Sequence, residues 1–397
     1  MNHHQPAADR TALVLTGGGA RAAYQVGVLK AAAELLPKRA HNPFSIITGT
    51  SAGAVNAVAL AASANNFRLA VKKVERIWSN IHVEQVYKAG YRDLCAAVLR
   101  LIASLFHQGR GLHKPLALLN NQPLADLLSH VIHFGDLERR LDGGLLDAIG
   151  VTASSYDSGE SVTFYQSNLD GTVLPEWRQS RRRGIATRLG VEHLLASSAI
   201  PMVLPATRIG DTYYGDGALR QVAPISSAIH LGAERILVVG VSGNPNRAPA
   251  ESHEQHSPSL AKMVGHVFNS AFIDALENDM EHVNRINELV GVVINENPHA
   301  STGNLKLVDF LCINPSIEIN EVVSRHIGSL PRAMRGLLRM TGATPEGGGT
   351  SMASYLLFEG DFCRELIACG YSDAMAQEDA LMDFFYPRRE VRLRAGT

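Results

Sequence analysis

Residues 11–36 read TALVLTGGGARAAYQVGVLKAAAELL, and after a short polar link residues 44–65 read FSIITGTSAGAVNAVALAASAN. Each half is an apolar run, a sharp glycine turn and an Ala-rich run long enough for a helix. Leu13, Val14 and Leu15 predict an interior strand, followed by a helix from about Ala20 that Pro37 stops. Ile46 and Ile47 predict a second strand, with a helix from Ser51 to about Asn65. Two such units in succession predict an α/β fold with a parallel sheet, both turns lying at the carboxyl ends of its strands. One turn carries Gly17, Gly18 and Gly19; the other carries Gly49-Thr50-Ser51-Ala52-Gly53. A run of glycine amides and a serine hydroxyl are thus expected to face one crevice.

The rest of the composition sets bounds. At 397 residues the chain can bury a sizeable core in one large or two ordinary domains. Lys plus Arg (37) nearly balance Asp plus Glu (38), so no global charge argues for nucleic acid. An apolar content of 46% excludes a disordered chain. Cys95, Cys312, Cys363 and Cys369 are scattered, which argues against a disulfide framework or a zinc site and for a reducing compartment. The opening MNHHQPAADR does not read as a signal peptide, and no stretch approaches the roughly 18 apolar residues of a spanning helix. The expectation is a cytoplasmic protein, with peripheral contact at a membrane left open.

Along the chain, residues 67–79 have the spacing of an amphipathic surface helix. Residues 94–106 (LCAAVLRLIASLF) carry one charge, Arg100, and are expected as a buried helix, with an interfacial or lid helix as the alternative. A flexible connection over 109–115 and a helix over 124–134, started by Pro123, follow. Strands over 148–154 and 161–166 flank a turn at Tyr156-Asp157-Ser158-Gly159. Arg181, Arg182 and Arg183 read as a solvated loop, headgroup contact being the sharper alternative. Helical spacing returns over 191–199, and residues 206–214 form a hairpin leading into Gly215-Asp216-Gly217-Ala218. Residues 235–242 read as a central strand, 244–259 as a loop, 260–289 as mainly helix, and 289–294 and 305–313 as late strands. A tail over 317–340, a loop at Gly347, Gly348 and Gly349, and helices over 355–369 and 372–385 complete the chain, without internal repeats.

GxSxG between a strand and a helix is a nucleophile elbow, in which a tight turn lifts the serine hydroxyl off the sheet edge. A serine that merely caps its helix is the alternative. The glycine run lacks the GK[ST] ending of a P-loop, and Ala22 stands where a dinucleotide site has its third glycine. Its amides suit an oxyanion hole, with Arg21 adding positive charge or forming a helix-surface ion pair. Ser51 also needs a base. None of the sixteen histidines has a recognisable catalytic context, and Ser51 follows only the second strand, earlier than in α/β-hydrolases. Asp216, between glycines after a hairpin, can serve if burial raises its proton affinity.

GGGARAAYQVGVL (17–29), GTSAG (49–53) and DGA (216–218) in this order and spacing resemble the patatin-like phospholipase family. ASSAIPMVLP (196–205) and SYLLFEGDFCRELIACGYSDA (354–374) resemble its bacterial members. The resemblance runs over about residues 13–373, and Ala22 departs from it where the family commonly has glycine. It implies a patatin-like three-layer α/β/α fold with a mostly parallel central sheet and a C-terminal helical extension. The corresponding division is a catalytic domain over 11–315 and an extension over 316–397 packed on it. It implies a Ser-Asp dyad lipid acyl hydrolase of phospholipase A type: Ser51 as nucleophile, Asp216 as base, Gly17, Gly18, Gly19 and Arg21 at the oxyanion, Gly49 and Gly53 at the elbow, and Gly217 and Ala218 in the DGA motif. No cofactor or metal is implied, and the expected partner is a lipid or acyl-ester substrate. A non-catalytic lipid-binding or regulatory module and an esterase or thioesterase on soluble acyl esters are the alternatives. Residues 322–338, with Arg325, Arg332, Arg335 and Arg339 nearby, together with residues 94–106 in their interfacial reading, are a candidate lipid-facing surface; charged helices on a soluble protein are the alternative of at least equal weight.

Overall fold

The computed structural model describes residues 10–106, 115–169, 171–221, 223–242, 275–296, 305–340 and 350–387, with isolated positions between 263 and 270. Five parallel strands form its centre, in the order β10 (Asp309–Ile313), β9 (Arg235–Val239), β1 (Thr11–Leu15), β2 (Ile46–Thr50), β3 (Ala148–Ser155). The sheet continues through β4 (Ser161–Ser167), antiparallel to β3, then β6 (Arg182–Ala186) and β5 (Trp177–Gln179). The hairpin of β7 (Thr207–Ile209) and β8 (Thr212–Asp216) joins at the end of β3, with Asp216 opposite Ala153.

Alternation along the strands feeds two cores. Leu13, Leu15, Ile47 and Val239 face α1 (Ala23–Leu35), α2 (Ala52–Ala62), α3 (Phe67–Ser79) and the helix Gly360–Met375. Ala12, Val14, Ile46 and Val238 face α9 (Ser226–His230) and the helix Ala275–Glu296. The result is the three-layer α/β/α arrangement expected from the paired strand-turn-helix units. Gly360–Met375 lies directly along α1. A Cβ at Gly27 would fall 2.0 Å from Ile367 O and one at Gly370 2.1 Å from Tyr24 O, so the two glycines let the backbones touch. Asp373 locks the pair, accepting from the Tyr24 hydroxyl at 2.9 Å and the Ser316 hydroxyl at 2.6 Å.

Several local expectations are corrected. The triple arginine is not a loop: Arg182 and Arg183 lie in β6, which satisfies the open edge of β4, and only Arg181 occupies the turn, at φ 58°. Residues 289–294 continue the helix Ala275–Glu296, which buries Val290 and leaves Leu289 66% exposed. The helix α5 (Tyr91–Phe106) buries Leu94 and Ala97 but exposes Tyr91 and Leu99, so it is not a core helix. After α4 (Val83–Val86), α5 and α6 (Gln122–Val131) comes an unanticipated α7 (Phe134–Asp142), whose apolar face is Phe134, Leu137 and Leu141. In the region expected to meet lipid, Val322, Val323, Ala333, Met334 and Leu338 are all buried in the protein's own core. Residues 109–114, 244–259 and 347–349 lie outside the described residues. Among the described residues no helix is long and apolar enough to cross a membrane.

Candidate active site

β2 ends at Thr50 and α2 begins at Ala52, leaving Ser51 alone to reverse the chain. It does so at φ 54° and ψ −129°, a conformation that is unfavourable for a residue with a Cβ and costs about 1–3 kcal/mol to hold. Gly53 makes the turn possible, since a Cβ there would fall 2.4 Å from both Leu15 O and Thr16 O; one at Gly49 would fall 2.5 Å from Gly53 O. The Ser51 side chain makes no capping bond to α2. It instead donates to Asp216 Oδ2 at 2.6 Å.

Asp216 ends β8 and is fully buried. Its backbone N–H donates to Ala199 O at 2.8 Å, and its Oδ1 accepts from the Ala218 N–H at 3.0 Å. Burial pushes its carboxyl up to about 7, while the bonds from Ser51 and the Ala218 N–H pull it down only in part. A hydroxyl donating to a carboxylate that titrates near neutrality is the arrangement general-base activation requires.

The glycine run leaves β1 on the same edge. Gly19 lines a cavity together with Ser51, at φ 55°, and a Cβ there would fall 2.2 Å from Tyr355 O. None of the Gly17, Gly18 and Gly19 N–H groups is engaged in a hydrogen bond among the described residues. The cavity has a volume of about 70 Å³, and Ser51, which lines it, is only 2% exposed. Its walls are α2, α3 and α6, with Leu356 and Phe358 contributed by the C-terminal region.

This geometry has a counterpart in sequence: the model of the patatin-like phospholipase family matches residues 13–229, more than half of the chain, and spans the glycine run, Ser51 and Asp216. The chain belongs to the patatin-like phospholipase family. No curated protein matches the sequence. Among solved structures, VipD from Legionella pneumophila is similar at 14% identity and a TM-score of 0.36, over 94% of this chain and 67% of that one. ExoU in its heterodimeric complex with SpcU, from the type III secretion system of Pseudomonas aeruginosa, is similar at 16% identity and a TM-score of 0.26, over 94% and 76%.

The patatin-like site draws on residues that sequence reasoning did not single out. Ser197, at the end of α8 (Val191–Ser197), accepts from the Ser51 N–H at 2.8 Å and donates to Thr152 O at 2.6 Å. Thr50 Oγ1 donates to Gln221 Oε1 at 2.5 Å. Asn56, on the cavity wall, donates to Ala22 O and Gln25 Oε1 and accepts from the Trp78 indole at 2.7 Å. Ser198 Oγ, also on the wall, is buried and unbonded among the described residues. Only ASSAIP signalled the two serines, by resemblance.

Of Gly17, Gly18, Gly19 and Arg21, only Gly19 lines the cavity. Arg21 donates from Nε to Ser354 Oγ at 2.7 Å and its guanidinium stacks 4.3 Å from the Tyr355 ring centroid. The buried His193 accepts from the Gly190 N–H and packs on Phe164, and no histidine among the described residues bonds Ser51 or Asp216. No group of three or more His, Cys, Asp or Glu among the described residues is placed to hold a metal.

Proposed function

We propose that the protein is a serine lipid acyl hydrolase of phospholipase A type, working through a Ser51–Asp216 dyad and an acyl-enzyme. The observation that carries this reading is the 2.6 Å bond from the Ser51 hydroxyl to a fully buried carboxylate raised to about 7. Asp216 takes the Ser51 proton as Oγ attacks the acyl carbonyl, and returns it to the departing alcohol. Water deprotonated by the same aspartate then releases the fatty acid. The Ser51 amide is already bonded to Ser197, so the oxyanion falls to the free amides of Gly17, Gly18 and Gly19. Arg21 supports them indirectly by fixing Tyr355 and Ser354 behind the loop. In this reading residues 316–397 are an extension of the catalytic domain 11–315, one whose Tyr355, Leu356 and Phe358 complete the cavity.

Fluorescent fluorophosphonate labelling of wild type, Ser51→Ala and Asp216→Asn tests the dyad. Labelling lost in the serine variant and strongly slowed in the aspartate variant is expected. Folded wild type that stays unlabelled with lipid present would replace this reading with a non-catalytic lipid-binding module.

A further inference from the structure

We infer that Ser198 selects the alcohol half of the substrate. Its hydroxyl donates to an oxygen on the carbon next to the scissile ester, a position that glycerolipids fill and esters of simple alcohols leave empty. The contact rests on the hydrolase reading of Ser51.

Helical serines elsewhere in the chain satisfy their hydroxyls locally. Ser129 in α6 and Ser324 in the helix Ile319–His326 each donate to the carbonyl four residues earlier, at 2.8 and 2.9 Å. Ser198, at the C-cap of α8, has the Leu194 carbonyl in the same relation, and its backbone N–H donates to it at 3.0 Å. Its side chain does not follow. The Ser198 Oγ is buried, belongs to the cavity that Ser51 lines, and has no hydrogen-bond partner among the described residues.

Other polar side chains around that cavity are occupied. Ser51 donates to Asp216, Asn56 has both ends bonded, the Trp78 indole donates to Asn56, and the Tyr87 hydroxyl donates to Leu356 O at 2.7 Å. Ser198 also follows directly on Ser197, the residue that accepts the Ser51 N–H at 2.8 Å, so the free hydroxyl lies beside the nucleophile's turn. A substrate entering here strips solvent from a buried hydroxyl and loses about 10-fold or more in binding unless it returns a hydrogen bond. An unsubstituted acyl chain has no polar atom beyond its carbonyl, whose oxygen falls to the glycine amides. The bond therefore comes from the alcohol half. In a glycerolipid each esterified carbon adjoins a carbon bearing a second oxygen, which can accept from the Ser198 O–H.

The test uses the full chain and two isosteric esters, 2-methoxyethyl octanoate and butyl octanoate, in which an ether oxygen replaces a methylene. The kcat/KM of the ether ester over that of the butyl ester is divided by the same ratio for hydroxide, which removes intrinsic reactivity. The result is expected to be about 10 in wild type and about 1 in Ser198→Ala. Because the ratio is taken within each protein, a general loss of activity cancels. Ser198→Ala breaks no bond to protein and is expected to melt within about a degree of wild type. A wild-type ratio near 1, or a ratio that survives in folded Ser198→Ala, overturns the inference and leaves the hydrolase reading standing. No turnover of either ester by folded wild type removes both. Dioctanoylglycerol and dioctanoyl phosphatidylcholine both carry the second oxygen, so Ser198→Ala is expected to slow each by about 10-fold. A slowing of neither also overturns the inference, and the ester that wild type turns over faster identifies the source as a neutral or a phosphorylated glycerolipid.

Discussion

The Ser197 hydroxyl accepts the Ser51 backbone N–H at 2.8 Å while donating to Thr152 O at 2.6 Å, so the elbow is tied to β3 through one side chain. Ser51 holds a left-handed φ of 54°, and the Ser197 bond is one of the contacts that keep it there. Ser197→Ala would leave a buried N–H unpaired, at a cost of about 1–3 kcal/mol. The expected result is a lower melting temperature and a kcat reduced about 10- to 100-fold with KM little changed, read from ester hydrolysis. An unaltered kcat would mean the elbow keeps its shape without Ser197.

A base must be deprotonated to act, and Asp216 is raised to about 7 by burial. kcat/KM is therefore expected to rise with pH through a midpoint near 7 and to level off above it. A midpoint near the ordinary carboxylate value of about 4 would show that Asp216 is not the group being titrated.

The same shift has a consequence for stability. Because the folded value lies above the unfolded one, ionisation is disfavoured in the folded state. Its destabilising effect is absent below about pH 4, grows as pH rises, and is complete above about 7. Asp216→Asn cannot ionise, so its stability relative to wild type should rise across that window, by an amount on the order of 4 kcal/mol. Melting temperatures of both proteins at pH 4 and pH 8 measure this; a difference independent of pH would contradict it.

Much of this site could be read from the sequence because it is built from local signals. The two strand-turn-helix units each announce themselves within about twenty residues, and they bring the glycine run and Ser51 to one sheet edge. Asp216 stands out by its glycine neighbours and by the hairpin that delivers it. Ser197 and Asn56 do not, since a serine or asparagine in a helix looks alike whether it holds an elbow or faces water. The seam between α1 and Gly360–Met375 is equally silent: Gly27 and Gly370 matter only once the two helices touch. Residues 289–294 mislead for the opposite reason, a β-branched run being compatible with either strand or helix until its neighbours are known.

Arg21 separates a supporting role from a direct one. Replacement by Met removes the bond to Ser354 and the stacking on Tyr355. Loss of roughly 1–3 kcal/mol of stability is expected, with faster hydrogen exchange in the helix Thr350–Leu356. Labelling by fluorophosphonate should fall no more than tenfold. A loss of a hundredfold or more in a folded variant would put the guanidinium at the oxyanion itself.

Contact with a membrane, if it occurs through the helix Arg332–Met340, has to be electrostatic. Ala333, Met334 and Leu338 already face the protein core, and Arg325 is paired with Glu365. What that helix offers outward is Arg332, Arg339 and the 88% exposed Met340. Each arginine near an anionic surface contributes about 1 kcal/mol, an attraction that salt screens. Co-sedimentation with anionic vesicles should therefore be weak, fall with added salt, and drop roughly 30-fold in the double variant Arg332→Gln, Arg339→Gln. Binding of equal strength to neutral vesicles, insensitive to salt, would shift the contact to an apolar surface such as the exposed Tyr91 and Leu99 of α5.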